Sequence, residues 1–281
     1  MRSKEPLTLA CIPAYNEEKA IASVIIKTRR HVDKVIVCDD GSTDLTGDIA
    51  RMLGAIVVRH EKNLGYGAAL STIFEKAREE DADVMVIIDG DGQHDPEDIP
   101  KLIEPIIKGE AGIVVGSRFL GESEHIIPSY RKFGIKAITQ FMDKAAYKEL
   151  TDAQSGFRAY NKSAITSIRP CEMGMGASTE ILIKAHEFGL KVKEIPVKIS
   201  YGKNSSTQNP IYHGIDVILS TVKHLSIRHP LLFYGTPGLG SLIIAAIFWL
   251  WTLDIFVKTR QVITNVTLVA VATTLIGLVL M

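Results

Sequence analysis

The sequence VMVIIDGDGQHDP at residues 84–96 decides the predicted fold. Its leading apolar residues predict a short buried strand, which runs directly into an acidic segment that contains glycine. An extended backbone would place Asp89, Asp91 and Gln93 on one side, while the glycines between them would let a ligand approach the main chain. Two carboxylates and an amide oxygen are hard ligands, which Mg²⁺ and Mn²⁺ prefer. The alternative is an acidic turn that binds nothing.

Strand and helix signals alternate on both sides of this segment. The predicted strands are residues 7–12, 35–38, 55–59, 84–88 and 113–115. The predicted helices are residues 17–30, capped by Asn16, a helix ending at Leu53, and residues 68–80 and 98–108. This alternation predicts an α/β fold with a mostly parallel sheet that has helices on both faces.

Four polar loops follow strands of this sheet, at the edge where the carboxyl ends of parallel strands meet and ligands bind. The loops are residues 13–16, 39–44, 89–93 and 116–118. Two common nucleotide-binding folds are disfavoured, because no G-x-G-x-x-G follows the first strand and no G-x-x-x-x-G-K-[ST] occurs in the sequence. The pattern therefore indicates a different kind of ligand site at this edge.

The charges of the chain balance, with 32 Lys and Arg against 32 Asp and Glu. No overall field would attract nucleic acid, so no nucleic-acid partner is predicted. Cys11, Cys38 and Cys171 lack metal-ligand spacing, which predicts reduced thiols in a cytosolic compartment. The first residues, MRSKEP, contain no apolar signal-peptide core, so the soluble part is expected to stay in the cytoplasm.

The C-terminal part of the chain is apolar. Apolar residues recur at helical spacing among basic side chains, which predicts an amphipathic surface helix at residues 210–229 or a helix that packs against the soluble domain. Two longer apolar runs follow, each near the ~20 residues that span a bilayer. With Trp249 and Trp251 as interfacial residues, they predict a transmembrane helical hairpin at residues 230–281, although buried soluble helices could be equally apolar.

Six motifs together resemble a known family. They are PAYNE at residues 13–17, DDGSTD at 39–44, NLGYGAAL at 63–70, DGDGQHDP at 89–96, GSR at 116–118 and TDAQSGFRAY at 151–160. The first five resemble the GT-A fold glycosyltransferases of family two, and the sixth is similar to the branch that makes polyprenyl-phosphate sugars. The resemblance implies a GT-A catalytic domain at residues 1–209, with a Rossmann-like, mostly parallel sheet and flanking helices.

The resemblance also implies a set of site residues. Those expected to bind the nucleotide sugar are Pro13, Ala14, Tyr15, Glu17, Asp39 and Asp40. Lys203 is expected to join them as a replacement for a positive charge of the mannose synthase branch, from whose pattern the chain departs at this point. Those expected to hold Mg²⁺ or Mn²⁺, which would neutralise the leaving nucleoside diphosphate, are Asp89, Asp91 and Gln93. Those expected to bind the phosphate of a lipid acceptor are Arg118, Arg131 and Lys132. Those expected to act in catalysis are Asp91, Arg118, Arg131 and Asp152.

The type of acceptor decides whether a general base is needed. A phosphate acceptor is already ionised at neutral pH, so a reaction without a base is expected. A hydroxyl acceptor would need one, and Asp152 or Glu180 would then be the candidates. Asp152 could instead cap the following turn. His94 is expected to be a polar loop residue, and the segment that contains Arg158 is expected to line the acceptor pocket.

The resulting prediction is an inverting, metal-dependent transfer of a hexose from a nucleoside diphosphate to dolichyl or polyprenyl phosphate. The segment SYGKNSSTQNP at residues 200–210 resembles archaeal relatives that use UDP-sugars, which favours UDP-N-acetylglucosamine or UDP-glucose over GDP-mannose. The alternatives are transfer to a hydroxyl acceptor, a non-catalytic sugar-nucleotide-binding membrane protein, and a nucleotidyltransferase. Because sugar nucleotides are cytoplasmic, we expect a multi-pass membrane protein with its catalytic domain on the cytoplasmic side. The oligomeric state is left open.

Overall fold

The computed structural model describes residues 6–120, 150–174, 176–199, 226 and 231–281. The chain divides into two units, Met1–Thr221 and Val222–Met281. The domain boundary predicted after residue 209 and the surface helix predicted at residues 210–229 lie outside the described residues, apart from Ser226. Both therefore stay predictions.

The described part of the first unit is built on one sheet. Its strands are β1 (Thr8–Ala14), β2 (Lys34–Asp39), β3 (Ile56–Arg59), β4 (Val84–Ile87), β5 (Ile113–Ser117), β6 (Arg158–Asn161) and β7 (Val192–Pro196). They lie in the order β3-β2-β1-β4-β6-β5-β7. Strand β6 runs antiparallel to both of its neighbours, and the other paired strands are parallel. The predicted mostly parallel sheet is confirmed, with β6 and β7 in addition to the strands predicted from sequence.

Helices pack against this sheet. They are α1 (Ile21–Thr28), α2 (Thr46–Met52), α3 (Tyr66–Glu79), α4 (Ile99–Ile107), α5 (Lys162–Ser167) and α6 (Ala177–Glu187), and a 3₁₀ turn at Pro96–Asp98 precedes α4. Every residue of the interior strand β1 is buried. Its alternate residues Ala10 and Ile12 join a core with Ile25 of α1 and Leu102 of α4. Burial on both faces explains why this strand is a continuous apolar run.

The start of α1 differs from the prediction. The helix begins at Ile21, and Asn16 does not cap it. Asn16 has a left-handed backbone, with φ of 56°, and its side-chain oxygen accepts a hydrogen bond of 2.8 Å from the Thr43 N–H. The prediction was wrong because this polar side chain joins the loops after β1 and β2. Two further bonds, from Asn16 N–H to Ser42 and from Glu17 N–H to Thr46, reinforce that junction.

The NLGYG motif brings the start of α3 against the loop at residues 171–174. The Gly67 N–H donates a hydrogen bond of 2.8 Å to the Met173 carbonyl oxygen. A Cβ at Gly65 would lie 2.6 Å from that same oxygen, and a Cβ at Gly67 would overlap the Glu172 carbonyl oxygen. The motif needs glycine here because the two backbones approach too closely for a side chain.

Replacing Gly67 by alanine is expected to lower the free energy of unfolding by about 1–3 kcal/mol, the usual cost of overpacking. This loss is expected even though alanine is the better helix former. Glu75→Ala, at an exposed position of the same helix, is the control and is expected to change stability by no more than about 0.5 kcal/mol. Thermal unfolding of both variants measures the difference, and a Gly67→Ala variant as stable as the wild type would contradict the close contact.

The described part of the second unit is a pair of antiparallel helices, α7 (Thr236–Thr259) and α8 (Thr264–Leu280). They pack through small residues, because a Cβ at Gly277 would lie 3.1 Å from the Gly238 carbonyl oxygen. The Ser241 hydroxyl donates a hydrogen bond of 2.8 Å to the Thr273 carbonyl oxygen. The predicted helical hairpin is thus confirmed as a pair of apolar helices.

One helical stretch in the described residues is long and apolar enough to cross a membrane. It is Phe233–Thr259, which consists of α7 and the end of the π-helical turn before it, and its mean hydropathy is 2.0. Helix α8 is equally apolar in character but shorter. Large apolar side chains of α7, including Leu250 and Leu253, are exposed, as expected for contact with lipid. A two-helix span and its orientation stay predictions.

Candidate active site

The loops after β1, β2, β4 and β5 lie at the carboxyl edge of the sheet, as the sequence predicts. Parallel pairing sets Ala14 of β1 beside Asp39 of β2. The loop after β4 approaches the end of β1 closely, since a Cβ at Gly90 would lie 3.3 Å from both the Ala14 side chain and the Pro13 carbonyl oxygen. The residues predicted to bind the nucleoside and the metal therefore belong to adjoining loops.

The backbone of the acidic segment is turned, so the extended geometry predicted for it is wrong. Strand β4 ends at Ile87, and residues 90–92 form a turn in which Gly92 has a φ of 72°. The Gln93 N–H donates a hydrogen bond of 2.9 Å to the Asp91 carboxylate and fixes this turn. The prediction that alternate residues share one side of an extended backbone failed because the carboxylates lie beyond the last paired residue of the strand.

Three carboxylates nevertheless influence one another at this turn. Burial, and then the charge of Asp91, raises the pKa of Asp89, and burial also raises the pKa of Asp91. Burial raises the pKa of Glu17 to about 7, with further contributions from Asp91, Asp89 and Asp44. Partly buried carboxylates that repel one another would be stabilised by a cation.

The donor chemistry of this cluster fits Mg²⁺ or Mn²⁺, which bind carboxylate and amide oxygens. Within the described residues, however, no three His, Cys, Asp or Glu side chains are grouped as a ready metal site. Asp89 and Asp91 would therefore need further ligands, such as Gln93 or the diphosphate of a bound nucleotide. The three predicted metal ligands stay a prediction that this electrostatic argument supports.

The surroundings of Asp89 hold its carboxylate in place. The Tyr66 hydroxyl forms a hydrogen bond with it, and the charges of Arg118 and Arg158 offset part of the rise in its pKa. Gly156 lies so close that a Cβ there would be 2.6 Å from an Asp89 oxygen. The loop that begins the TDAQSGFRAY motif is therefore packed directly onto the acidic segment.

The raised pKa of Glu17 predicts a pH-dependent stability. A carboxyl whose pKa is higher folded than unfolded binds protons more tightly in the folded state, so the free energy of unfolding should fall as pH rises from about 5 towards 8. We expect the metal-free protein to melt at a higher temperature at pH 5.5 than at pH 8 through this group. Mn²⁺ should raise the melting temperature more at pH 8, because the cation needs ionised carboxylates.

Thermal melts in EDTA and in Mn²⁺ across this pH range measure the effect. Glu17→Gln should reduce the pH dependence, whereas Glu18→Gln, at the exposed neighbouring position, should leave it unchanged. An equal effect of Mn²⁺ at both pH values would contradict the assignment of these carboxylates to a cation.

The predicted nucleoside residues include one buried acceptor without a hydrogen-bond partner. Pro13 and Ala14 are buried in β1, and Tyr15 is exposed. Asp39 is fully buried, and one of its oxygens accepts a hydrogen bond of 2.9 Å from the Ser42 N–H. Its other oxygen, Oδ2, has no hydrogen bond and lies 3.4 Å from the Arg59 Nε. A buried acceptor of this kind indicates a place for a ligand donor.

Asp40 has its partners within the protein. Its carboxylate accepts hydrogen bonds of 2.9 Å from the Leu64 and Gly65 N–H groups, and His60 Nδ1 lies 2.7 Å from it. Asp40 therefore holds the loop that leads into α3. A direct contact between Asp40 and the nucleotide sugar stays a prediction.

Arg118 and Asp152 form a two-point ion pair at the same edge. Arg118 Nε and Nη2 donate hydrogen bonds of 2.6 Å and 2.8 Å to the two Asp152 oxygens, and the Arg118 backbone N–H adds a third bond of 3.1 Å. Burial alone would raise the pKa of Asp152, but the charge and hydrogen bonds of Arg118 outweigh it and lower the pKa. A carboxylate held in this way is a poor general base.

Glu180, the other candidate base, is also engaged. Its buried carboxylate accepts hydrogen bonds from the Cys171 and Glu172 N–H groups and lies 2.7 Å from the Lys184 ammonium. These contacts hold the loop at residues 171–174 against the start of α6. Glu180 therefore has a structural explanation that needs no base.

Two residues of the site are more deeply buried than the sequence suggests. His94 lies in a loop, but only 6% of its surface is exposed, its ring is 5.0 Å from that of Phe157, and burial lowers its pKa to about 4. Arg158 is fully buried and donates hydrogen bonds to the carbonyl oxygens of Ser155, Ser178 and Ala153. A charged residue inside an apolar strand pattern is the signal that could have identified Arg158 as a buried cation.

The remaining predicted site residues are Arg131, Lys132 and Lys203. All three lie outside the described residues. Their roles at the acceptor phosphate and the donor therefore stay predictions.

Comparison with known proteins identifies the family. Residues 10–169 match glycosyl transferase family 2. A UDP-N-acetylglucosamine–dolichyl-phosphate N-acetylglucosaminyltransferase from Methanococcus voltae is 36% identical over 222 residues, which cover 72% of this chain and 88% of the relative. A dolichol-phosphate mannosyltransferase from Pyrococcus furiosus is 33% identical over 196 residues, which cover 66% of this chain and 54% of the relative.

Similarity to a solved structure supports the fold assignment. The crystal structure of glucosyl-3-phosphoglycerate synthase from Mycobacterium tuberculosis in complex with Mn²⁺ and UDP-glucose has a TM-score of 0.62 and 26% identity. The match covers 78% of this chain and 79% of that one. The predicted GT-A fold, with its mixed sheet and flanking helices, is confirmed. The chain therefore belongs to glycosyltransferase family 2 and is an enzyme of the hexosyltransferase type.

Proposed function

We propose that this enzyme transfers a hexose from a nucleoside diphosphate to the phosphate of dolichol or a related polyprenol. One observation carries the proposal: the loop that carries Asp152, the ion-pair partner of Arg118, packs onto the acidic turn, where a Cβ at Gly156 would lie 2.6 Å from an Asp89 oxygen. The carboxylates predicted to bind the cation and a guanidinium thus share one edge of the sheet. The names of the relatives from Methanococcus voltae and Pyrococcus furiosus, which include dolichyl or dolichol phosphate, support the same acceptor.

The donor phosphates are assigned to the acidic turn. Asp89, Asp91 and Gln93 would hold Mg²⁺ or Mn²⁺, which when bound would neutralise the charge on the leaving diphosphate. The solved relative was crystallised with Mn²⁺ and UDP-glucose, which supports this division of roles. Tyr66 and the close packing of Gly156 would hold the Asp89 carboxylate in position for the metal.

The nucleoside is assigned to Pro13, Ala14, Tyr15, Glu17 and Asp39. Asp39 has one oxygen taken by the Ser42 N–H, which leaves Oδ2 as the acceptor for one ring N–H. Uracil has a single ring N–H between two carbonyl groups, whereas guanine presents two adjacent donors, so one acceptor beside the Arg59 guanidinium favours a UDP-sugar. Because Asp39 is fully buried, the base would reach Oδ2 only after local movement of the residues that cover it, and Arg59 and Gly47 both lie close to this oxygen.

The acceptor phosphate is assigned to Arg118, with Arg131 and Lys132 as further predicted contacts. A lipid phosphate is ionised near neutral pH and can attack the sugar carbon without a general base. The engaged states of Asp152 and Glu180 agree with this, and they disfavour a hydroxyl acceptor. Direct displacement by the phosphate oxygen would invert an α-linked donor to a β-linked product.

The apolar helical hairpin supports a lipid acceptor, because an enzyme attached to the membrane would lie close to a lipid in the same bilayer. We assign residues 1–209 to the catalytic domain, residues 210–229 to a juxtamembrane helix and residues 230–281 to two transmembrane helices. The catalytic domain would face the cytoplasm, where nucleotide sugars are found. The helix Phe233–Thr259 supports membrane attachment by its length and composition.

The test is a transfer assay with membranes that contain the protein. The membranes receive radiolabelled UDP-N-acetylglucosamine, UDP-glucose or GDP-mannose together with dolichyl phosphate, and we expect labelled lipid from a UDP-sugar. Dolichol in place of dolichyl phosphate is the matched control for a hydroxyl acceptor, and EDTA tests the metal. Absence of labelled lipid with every donor would refute the proposal. Label from GDP-mannose alone would refute the donor assignment, and activity in EDTA would refute the metal.

A further inference from the structure

A carboxylate on the edge strand β7 lies directly behind the Arg118–Asp152 pair. Glu194 Oε2 accepts hydrogen bonds of 2.8 Å from both the N–H and the hydroxyl of Thr151. Its other oxygen, Oε1, accepts a hydrogen bond of 2.8 Å from the Asp152 N–H. One half-buried carboxylate thus holds the turn that carries Asp152 by three bonds.

The same turn is joined to the strand that carries Arg118. The Ser117 and Thr151 hydroxyl oxygens lie 2.6 Å apart, and the Phe119 N–H donates to the Ser117 hydroxyl over 3.2 Å. Arg118 lies between these two anchored residues and directs its fork at Asp152. Hydrogen bonds therefore connect Glu194 to the turn that carries Asp152, and they connect Asp152 to the Arg118 guanidinium.

We propose that Glu194 is a positioning residue that sets the orientation of Arg118 towards the acceptor phosphate. The inference rests on the proposed function, since it assigns Arg118 to that phosphate. A guanidinium binds phosphate through directed N–H groups, so a small rotation of its plane weakens the contact. Glu194 would contact neither substrate and would act through Thr151 and Asp152.

The hydrogen-bond pattern requires a carboxylate rather than an amide. Both oxygens of Glu194 face backbone N–H donors, one from Thr151 and one from Asp152. A glutamine has one oxygen and one NH₂ group, so in either orientation of the amide its NH₂ would face an N–H donor. Glu194→Gln keeps the size of the side chain but loses at least one of these bonds.

The experiment compares Glu194→Gln with Glu110→Gln. Glu110 is an exposed carboxylate that pairs with Lys193 of the same strand, so its variant matches the loss of charge without touching the turn. We expect Glu194→Gln to raise the KM for dolichyl phosphate by about tenfold to a hundredfold, the range for loss of a hydrogen bond to a charged group. The KM for the nucleotide sugar should stay close to wild type, and the melting temperature should fall by several degrees because the lost bond also holds the turn. Glu110→Gln should leave all three quantities unchanged.

A double variant tests whether Glu194 acts through Arg118. Arg118→Lys keeps the positive charge but removes the two-point fork, so there is no fork left to orient. Adding Glu194→Gln in that background should change the acceptor KM by less than about twofold, because interacting residues are not additive. An effect as large as in the wild-type background would overturn the inference, since Glu194 would then act independently of Arg118.

Other outcomes are equally decisive. A folded Glu194→Gln variant with an unchanged acceptor KM, or with equal rises in the KM of donor and acceptor, would overturn the positioning role. If that variant does not fold, Thr151→Val removes the two bonds of the Thr151 hydroxyl, to Glu194 and to Ser117, but keeps both backbone bonds to Glu194. It should raise the acceptor KM by a smaller factor, and no rise would overturn the inference. A wild-type enzyme that makes no labelled lipid would refute the proposed function and this inference with it. Normal wild-type transfer with an unaffected Glu194→Gln variant would refute the inference alone.

Discussion

Replacing Asp91 by asparagine is expected to lower the rate of sugar transfer by about two to three orders of magnitude, as the loss of several kcal/mol of charge stabilisation at the diphosphate implies. The change should leave the fold intact, because an asparagine oxygen can still accept the Gln93 N–H that fixes the turn. The rate is measured as labelled lipid formed with saturating donor and acceptor. Mn²⁺ binding, followed by calorimetry without substrate, should weaken in parallel.

Asp95→Asn is the matched control for this prediction. Asp95 lies in the same loop and caps the 3₁₀ turn by accepting the Glu97 N–H, a bond that asparagine can also make. We expect its transfer rate to stay within about twofold of wild type, since a neutral replacement at a satisfied cap costs a few tenths of a kcal/mol at most. Wild-type transfer by Asp91→Asn would contradict the metal role of this carboxylate.

Periodicity and turn residues were sufficient to predict the parallel part of the fold. The apolar runs that became β1, β2 and β4 are buried almost without a break, so their sequence carries a strong strand signal. The alternation with helices then places their polar loops at one edge. Local capping was not predictable in the same way, because Asn16 bonds to a loop that is distant in sequence.

The antiparallel strand β6 explains why half of the candidate site was hard to predict. Strand β6 lies between β4 and β5, and it pairs Arg158 with Ile87 at the carboxyl end of β4. Since β6 runs the other way, the residues before it reach the same edge as the acidic turn. Asp152 and Gly156 join the site for this reason, which no short-range pattern in the sequence contains. Their motif was recognisable only through its resemblance to a family.

Removal of the Arg118 side chain is expected to have the largest effect on stability. Arg118→Ala would leave Asp152, which is fully buried, as an unpaired charge, and breaking a buried pair in this way costs about 3–5 kcal/mol. The melting temperature of the catalytic unit should fall accordingly, and sugar transfer should be lost. Calorimetry of the purified protein in detergent measures the first effect, and the lipid assay measures the second.

A double variant separates these two effects. Arg118→Met with Asp152→Asn removes both charges, keeps much of the volume, and should recover most of the lost stability, because neutral replacement of a buried pair is often tolerated. Transfer should remain absent, since the phosphate would still lack its guanidinium. A single variant as stable as wild type would contradict the buried pair. A stable double variant that transfers sugar normally would exclude Arg118 from the acceptor site and leave that role to residues elsewhere in the chain.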